Sequence, residues 1–160
     1  MSHADIGDIV LPNAGSQVSA ILFACNINAV RSAMAEAMVK QAFPGTVFVD
    51  SCGVTPGIQD GFATVVMQEI GLDLSSHEPK SFDDLDSGFY DVIISFSLEA
   101  HDAALALTKN MDCDTFYWPV DNLANLTGSR EEMLRAYRYV RDDIRDKLSR
   151  YFGKEIAGKT

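Results

Sequence analysis

Apolar and polar positions along this chain fall into blocks, and the blocks predict strands that feed helices. Val18, Ala20, Ile21, Leu22, Phe23 and Ala24 make an apolar, β-prone run that stops at Cys25. From Ser32 the period changes, and Met34, Ala37, Met38 and Ala42 fall on one face of a helix. Pro44-Gly45 turns the chain, and Val47, Phe48 and Val49 predict a short buried strand ending near Ser51. After the Pro56-Gly57 turn, Asp60 suits the N-cap of a helix carrying Phe62, Val65, Val66, Glu69 and Ile70, with Gly71 at its C′ position. A polar connection from Asp73 to Lys80 leads to a short turn at Phe82 to Leu85. Val92, Ile93, Ile94 and Phe96 predict a third strand, and Ser97 caps a helix through Leu98, Ala104, Leu105 and Leu107. Thr115 to Trp118 predicts a fourth strand, halted by Pro119. The last helix is the best marked. Ser129-Arg-Glu-Glu132 is a capping box, Met133, Tyr137, Val140, Ile144, Leu148 and Tyr151 repeat at intervals of three and four, and Gly153 ends it.

Strands that are nearly continuously apolar and alternate with helices predict a parallel sheet covered on both faces. The expected architecture is α/β: a three-layer α/β/α domain over residues 18–153 around a four-stranded parallel sheet in the order 2-1-3-4. An irregular arm over residues 1–17, with Pro12, Asn13 and Gly15 and no sustained period, precedes it, and a tail over 154–160 follows. In such sheets ligands sit outside the carboxyl ends of the strands. Cys25, Ser51, Ser97 and Pro119 all lie there, so their loops are expected to converge.

The loop after the first strand reads Cys25-Asn26-Ile27-Asn28-Ala29-Val30-Arg31-Ser32. A loop that enters a helix leaves several backbone N–H groups without partners, and the helix dipole adds partial positive charge at that end. Such a place attracts an oxyanion and favours the thiolate form of a nearby cysteine. The Arg31 guanidinium offers paired donors matched to a phosphate-like group, and the Ser32 hydroxyl is placed to donate to the sulfur. The segment reads as an anion cradle with a reactive sulfur at its floor.

Composition narrows the partners. With 160 residues, 47% of them hydrophobic and nine of them Phe, the chain suffices for one core without disulfides or a structural metal. A formal net charge of −10 argues against nucleic acid, and repels anions at long range, so any anion site is made locally from amides and one or two cations. No apolar run approaches the ~18 residues of a membrane helix, so no membrane association is expected. The opening MSHADIGDIVLPNAG has neither a basic region nor a long apolar core, so no secretory signal is expected. Cys25, Cys52 and Cys113 have no regular spacing, which suits a reducing, cytoplasmic location. The histidines are too scattered for a metal site, and no cofactor is expected. His77, beside Ser75-Ser76, is read as fixing loop backbone, Asp83, Asp84 and Asp86 as a solvated face, Cys52 and Cys113 as core residues, and Trp118 as either pocket wall or core.

The run ILFACNINAVRSAMAEA resembles the opening of the low-molecular-weight protein tyrosine phosphatase family, roughly VLFVCxGNxCRSPMAEA; the related thioredoxin-coupled arsenate reductases share that architecture. The likeness continues through Ser51-Cys-Gly53, Glu69-Ile-Gly71-Leu-Asp73 with His77 and Lys80, and Tyr90-Asp91-Val-Ile-Ile. The resemblance implies a phosphotyrosine phosphatase I-like fold and two-step phosphoryl transfer. Cys25 would attack phosphorus to give a phosphocysteine, while the amides from Asn26 to Ser32 and the Arg31 fork hold the equatorial oxygens. Asn28 matches the family's loop-bracing asparagine. Asp121, in Tyr117-Trp-Pro-Val-Asp121-Asn122, is nearest to the family's late general acid. The implied partners are a phosphorylated protein or small phosphomonoester, and inorganic phosphate or a similar oxyanion. The chain departs from the pattern at Ile27, where the family has glycine, at Val30, where many members have a second cysteine, and at Asn122, where the family has proline. An arsenate reductase using an external thiol donor is the alternative enzyme reading, since the relay cysteines expected after the third strand are replaced by Ser95-Phe-Ser97-Leu-Glu99. A catalytically weak relative that binds an oxyanion or a protein is the non-enzymatic one.

Overall fold

The computed structural model describes residues 18–85 and 89–157. The arm read over 1–17 lies outside the described residues, as does Asp86. Four parallel strands, β1 (Ala20–Cys25), β2 (Phe48–Gly53), β3 (Val92–Ser95) and β4 (Asp114–Tyr117), pair in the order β2-β1-β3-β4. Helices α1 (Arg31–Ala42), α2 (Gly61–Gln68), α3 (Leu98–Leu107) and α4 (Arg130–Phe152) connect and cover them. The order arises because β1 is central and takes a neighbour on each side: Phe23 registers with Ser51 of β2 and with Ile94 of β3.

The pleat divides the apolar residues of β1 between two cores. Ile21, Phe23 and Cys25 face the larger core, shared with Met34 and Met38 of α1, Val66 of α2, and Ile144 and Leu148 of α4. Leu22 and Ala24 face the smaller one, with Ala100 and Ala104 of α3 and Cys52 of β2. The three-layer α/β/α fold follows directly. Trp118 is fully buried, packs on Phe96 and Tyr151, and is therefore core.

Caps fix where helices start. The Asp60 carboxylate accepts from the Phe62 and Ala63 amides at the head of α2, and Ser129 and Glu132 close the predicted capping box of α4. Helix α1 differs: its N-cap residue is Val30, with no side-chain cap. Its first-turn amides are left for something other than a side chain.

Some boundaries depart from expectation. The second strand runs on to Gly53, and Phe48, expected buried, is exposed at its start, because β2 is an edge strand. The third ends at Ser95, one residue before Phe96. The fourth starts at Asp114 and ends before Trp118. Leu98 and Leu105 lie on the outer face of α3 and are exposed. Residues 154–157, read as part of a tail, fold back on the domain: Ile156 is fully buried and its amide donates to Ser149 Oγ at 3.0 Å.

Candidate active site

The loop between β1 and α1 is shaped by what holds its carbonyl groups. Three amides of the segment following β2 donate to it in succession: Val54 to the Cys25 carbonyl at 3.1 Å, Thr55 to that of Asn26 at 3.0 Å, and Gly57 to that of Ile27 at 2.9 Å. The next carbonyl, on Asn28, lies 2.7 Å from His77 Nε2. A carbonyl oxygen only accepts, so Nε2 carries the proton there. In a trans peptide the carbonyl and the following N–H point in opposite directions, and no peptide bond among the described residues is cis. Four tied carbonyls therefore turn the amides of Asn26, Ile27, Asn28 and Ala29 away from those partners. Among the described residues, no amide from Asn26 to Ser32 donates to a protein acceptor. Neighbouring donors left in this way suit an anion or water.

Asn28 turns the loop. Its φ of 58° is in the left-handed region, which asparagine tolerates better than most residues. Its side chain braces the turn: Oδ1 accepts from the Lys80 amide at 3.0 Å, and Nδ2 donates to Ser32 Oγ at 2.8 Å and Ser51 Oγ at 2.9 Å. Ser51 in turn donates to Glu36 Oε1 at 2.5 Å. Ser32 Oγ, which accepts from Asn28, lies 2.9 Å from Cys25 Sγ and 3.3 Å from the Cys52 carbonyl, to which its hydroxyl can donate. His77 sits as the sequence suggests, fixing loop backbone.

Arg31 is buried, and its Nη1 donates to the carbonyls of Phe96 at 3.1 Å and Val120 at 3.0 Å. These carbonyls follow β3 and β4, so the cation is anchored where those two loops meet the cradle. Among the described residues Nε and Nη2 take no other partner, which leaves a two-pronged edge for an oxyanion. Burial pulls the guanidinium below its ordinary value, and nearby Cys25, Glu99, Tyr117 and Asp121 oppose that shift. It remains a cation at any working pH.

Beside the sulfur is a cavity of about 40 Å³, several times the ~10–15 Å³ that one water needs. Cys25, Ile27, Val30 and Arg31 form one side, and Asn122, Leu123 and Ala124 of the loop after β4 close another. Asp121 stands exposed beside the Val120 carbonyl that anchors Arg31, at the rim and not in the wall. Sequence reasoning missed two wall residues, Asp60 and Tyr137, joined by a 2.7 Å hydrogen bond from the phenol to the carboxylate. Asp60 follows the carboxyl end of β2 and so lay within reach of that inference; nothing in the helical period marks Tyr137.

The other thiols are elsewhere. Cys52 is next to Gly53, the register partner of Cys25, but faces the opposite core, and burial pushes its thiol well up. Cys113, expected in the core, is only half-buried, at the amino end of β4 away from the cavity. Burial, with Asp114, Asp91 and Asp112 nearby, pushes its thiol up to about 11. Neither lies in the cavity wall beside Cys25.

A family model described as low molecular weight phosphotyrosine protein phosphatase matches residues 20–159. An arsenate reductase of Halalkalibacterium halodurans is 28% identical over 131 residues, covering 82% of this chain and 93% of that protein. A glutaredoxin arsenate reductase of Synechocystis is 33% identical over 75 residues, 47% of this chain; the match spans only 57% of the relative's length. Among solved structures, the tyrosine phosphatase Wzb of Escherichia coli K30 in complex with sulphate superposes with a TM-score of 0.70 at 16% identity, covering 86% of this chain and 98% of that one. At that identity the likeness speaks for the fold.

Proposed function

The chain belongs to the low molecular weight phosphotyrosine protein phosphatase family, and on that premise we propose that it is a cysteine-dependent phosphomonoester hydrolase working through a phosphocysteine. In the first step the Cys25 thiolate attacks phosphorus, the bond to the leaving oxygen breaks, and the Asp121 carboxylic acid gives that oxygen its proton. In the second, water attacks the phosphocysteine, Asp121 carboxylate takes the water's proton, and phosphate departs as the thiolate re-forms. The amides of Asn26 to Ser32, with Nε and Nη2 of Arg31, hold the three equatorial oxygens throughout. One observation carries this reading: four consecutive carbonyls, Cys25 to Asn28, are tied to other segments, which turns the amides that follow them the other way and leaves those amides without a protein acceptor among the described residues. The substrates would be phosphorylated proteins or small phosphomonoesters, and the free thiols suit a reducing, cytoplasmic setting.

Leaving-group dependence tests the acid. Asp121→Asn is expected to lose about 10²–10⁴-fold in kcat/KM, which reports the first step, on phenyl phosphate, whose phenoxide needs a proton. On p-nitrophenyl phosphate, which leaves without help, the loss in kcat/KM should be much smaller. Equal losses in kcat/KM on both substrates would remove Asp121 from the role of acid.

The similarity to arsenate reductases favours a second reading, reduction of arsenate. There the Cys25–arsenic adduct would have to be resolved by an external thiol, because Cys52 faces the other core and Cys113 is at the far end of β4. Arsenate turnover with glutathione and a glutaredoxin, without aryl phosphate hydrolysis, would favour that reading over the phosphatase.

A further inference from the structure

Gly57 is a glycine for reasons of space. Its φ is not in the left-handed region that favours glycine, yet a Cβ built on it would lie 2.9 Å from Ile27 Cβ, 3.0 Å from Cδ1 and 3.2 Å from Cγ1. Contacts below 3 Å force something to move, and a Cβ this close to the main chain is not a free side-chain end. The same two residues share the hydrogen bond from the Gly57 amide to the Ile27 carbonyl, at 2.9 Å. That bond sets the tilt of the peptide plane whose other end is the Asn28 amide, one of those aimed into the cradle.

We propose that Ile27 and Gly57 are a matched positioning pair: the side chain absent from Gly57 leaves the place that Ile27 occupies, and their contact sets the aim of the Asn28 amide toward a bound tetrahedral oxyanion. Neither residue touches the reacting atoms in this role. Gly57 acts through Ile27, and Ile27 acts through the peptide bond it begins. The pair accounts for a branched side chain at a loop position where the family pattern has glycine: a glycine far along the chain leaves room for it. Gly53 performs a parallel service from behind, where a Cβ would come within 2.8 Å of the Asn26 carbonyl oxygen and the Asn28 nitrogen.

The inference deepens the phosphatase reading, but its primary test is anion binding, which needs no turnover. Tungstate affinity is measured calorimetrically for the full-length wild type, Gly57→Ala, Ile27→Gly and the double variant, with thermal melting of each. Gly57→Ala is expected to weaken binding about tenfold or more, as expected of a misaimed donor. In the Ile27→Gly background, which has no Cβ to meet, the added Gly57→Ala should cost no more than about twofold, so the two effects are strongly non-additive. Aryl phosphate turnover should follow the same pattern in kcat more than in KM. An unchanged tungstate affinity in a folded Gly57→Ala protein would overturn the proposal. So would an equal loss from Gly57→Ala in both backgrounds. If Gly57→Ala alone does not fold, the comparison of Ile27→Gly with the double variant still decides. A loss of affinity on adding Gly57→Ala there, with no side chain opposite it, contradicts the pairing. Absence of phosphatase activity in the wild type would count against the function proposed above and leave this cycle readable.

Discussion

Cys25→Ser is expected to lose aryl phosphate hydrolysis by a factor of about 10⁴ or more while keeping tungstate affinity within about threefold of wild type. The reason is local. Serine places a hydroxyl at the cradle floor, where the alkoxide needed for attack is inaccessible, and the Ser32 hydroxyl 2.9 Å away does too little to change that. Beyond its contact with Ser32 Oγ, the sulfur does not hold the loop. The carbonyls of Cys25, Asn26 and Ile27 stay tied to the segment after β2 through the backbone, and Asn28 keeps its side-chain bonds. Steady-state kinetics and calorimetry on the same preparation separate the two outcomes. Retained activity would remove the sulfur from the reaction. Lost binding would mean that the thiolate is part of the anion site's architecture.

Arg31→Lys should do the reverse and lose binding as well as turnover. A planar fork meets two demands in this structure: Nη1 bridges the carbonyls of Phe96 and Val120, while the remaining edge faces the cavity. An ammonium is a point donor on a flexible stem and cannot meet both. If it turns to the oxyanion, the Val120 carbonyl loses its partner, at about 1–3 kcal/mol, and the Phe96 carbonyl keeps only the long 3.4 Å bond from the Val120 amide. If it stays with the carbonyls, the oxyanion loses its fork, at about 10²–10³ in kcat. The expected result is a drop in kcat of that order, weakened tungstate binding and a lowered melting temperature together. Wild-type affinity in Arg31→Lys would show that the amides alone make the site.

These two variants divide the site along a line visible in the sequence. The apolar run to Cys25, the helical period from Ser32 and the arginine between them are local features, so their geometry was legible before any coordinates. The parallel sheet was legible too, because nearly continuous apolar strands alternate with helices; its order was expected only alongside the family resemblance. What could not be read depends on contacts between distant segments. The Val54, Thr55 and Gly57 amides that aim the cradle belong to a loop whose sequence announces only a turn. Asp60 was recognisable as a cap, but its second oxygen reaches Tyr137 across the cavity, and that pairing exists only after α2 and α4 have packed. Edges misled in the other direction. Phe48, Leu98 and Leu105 are apolar and fit their periods, yet they lie at the margin of the sheet or on the outer face of α3, where there is no partner layer to bury them. Ile27 shows both limits at once: its departure from the family pattern was plain, and the glycine that receives it was not.

The most direct test is to trap the intermediate. The wild-type protein is mixed with excess p-nitrophenyl phosphate, quenched in acid within milliseconds, digested and examined by mass spectrometry. The expected result is one phosphoryl group on the peptide containing Cys25, formed in step with the first burst of nitrophenol and absent from Cys25→Ser. Nitrophenol released at the full steady rate with no phosphoryl group on Cys25 at any quench time, or with the group on another residue, would contradict the account.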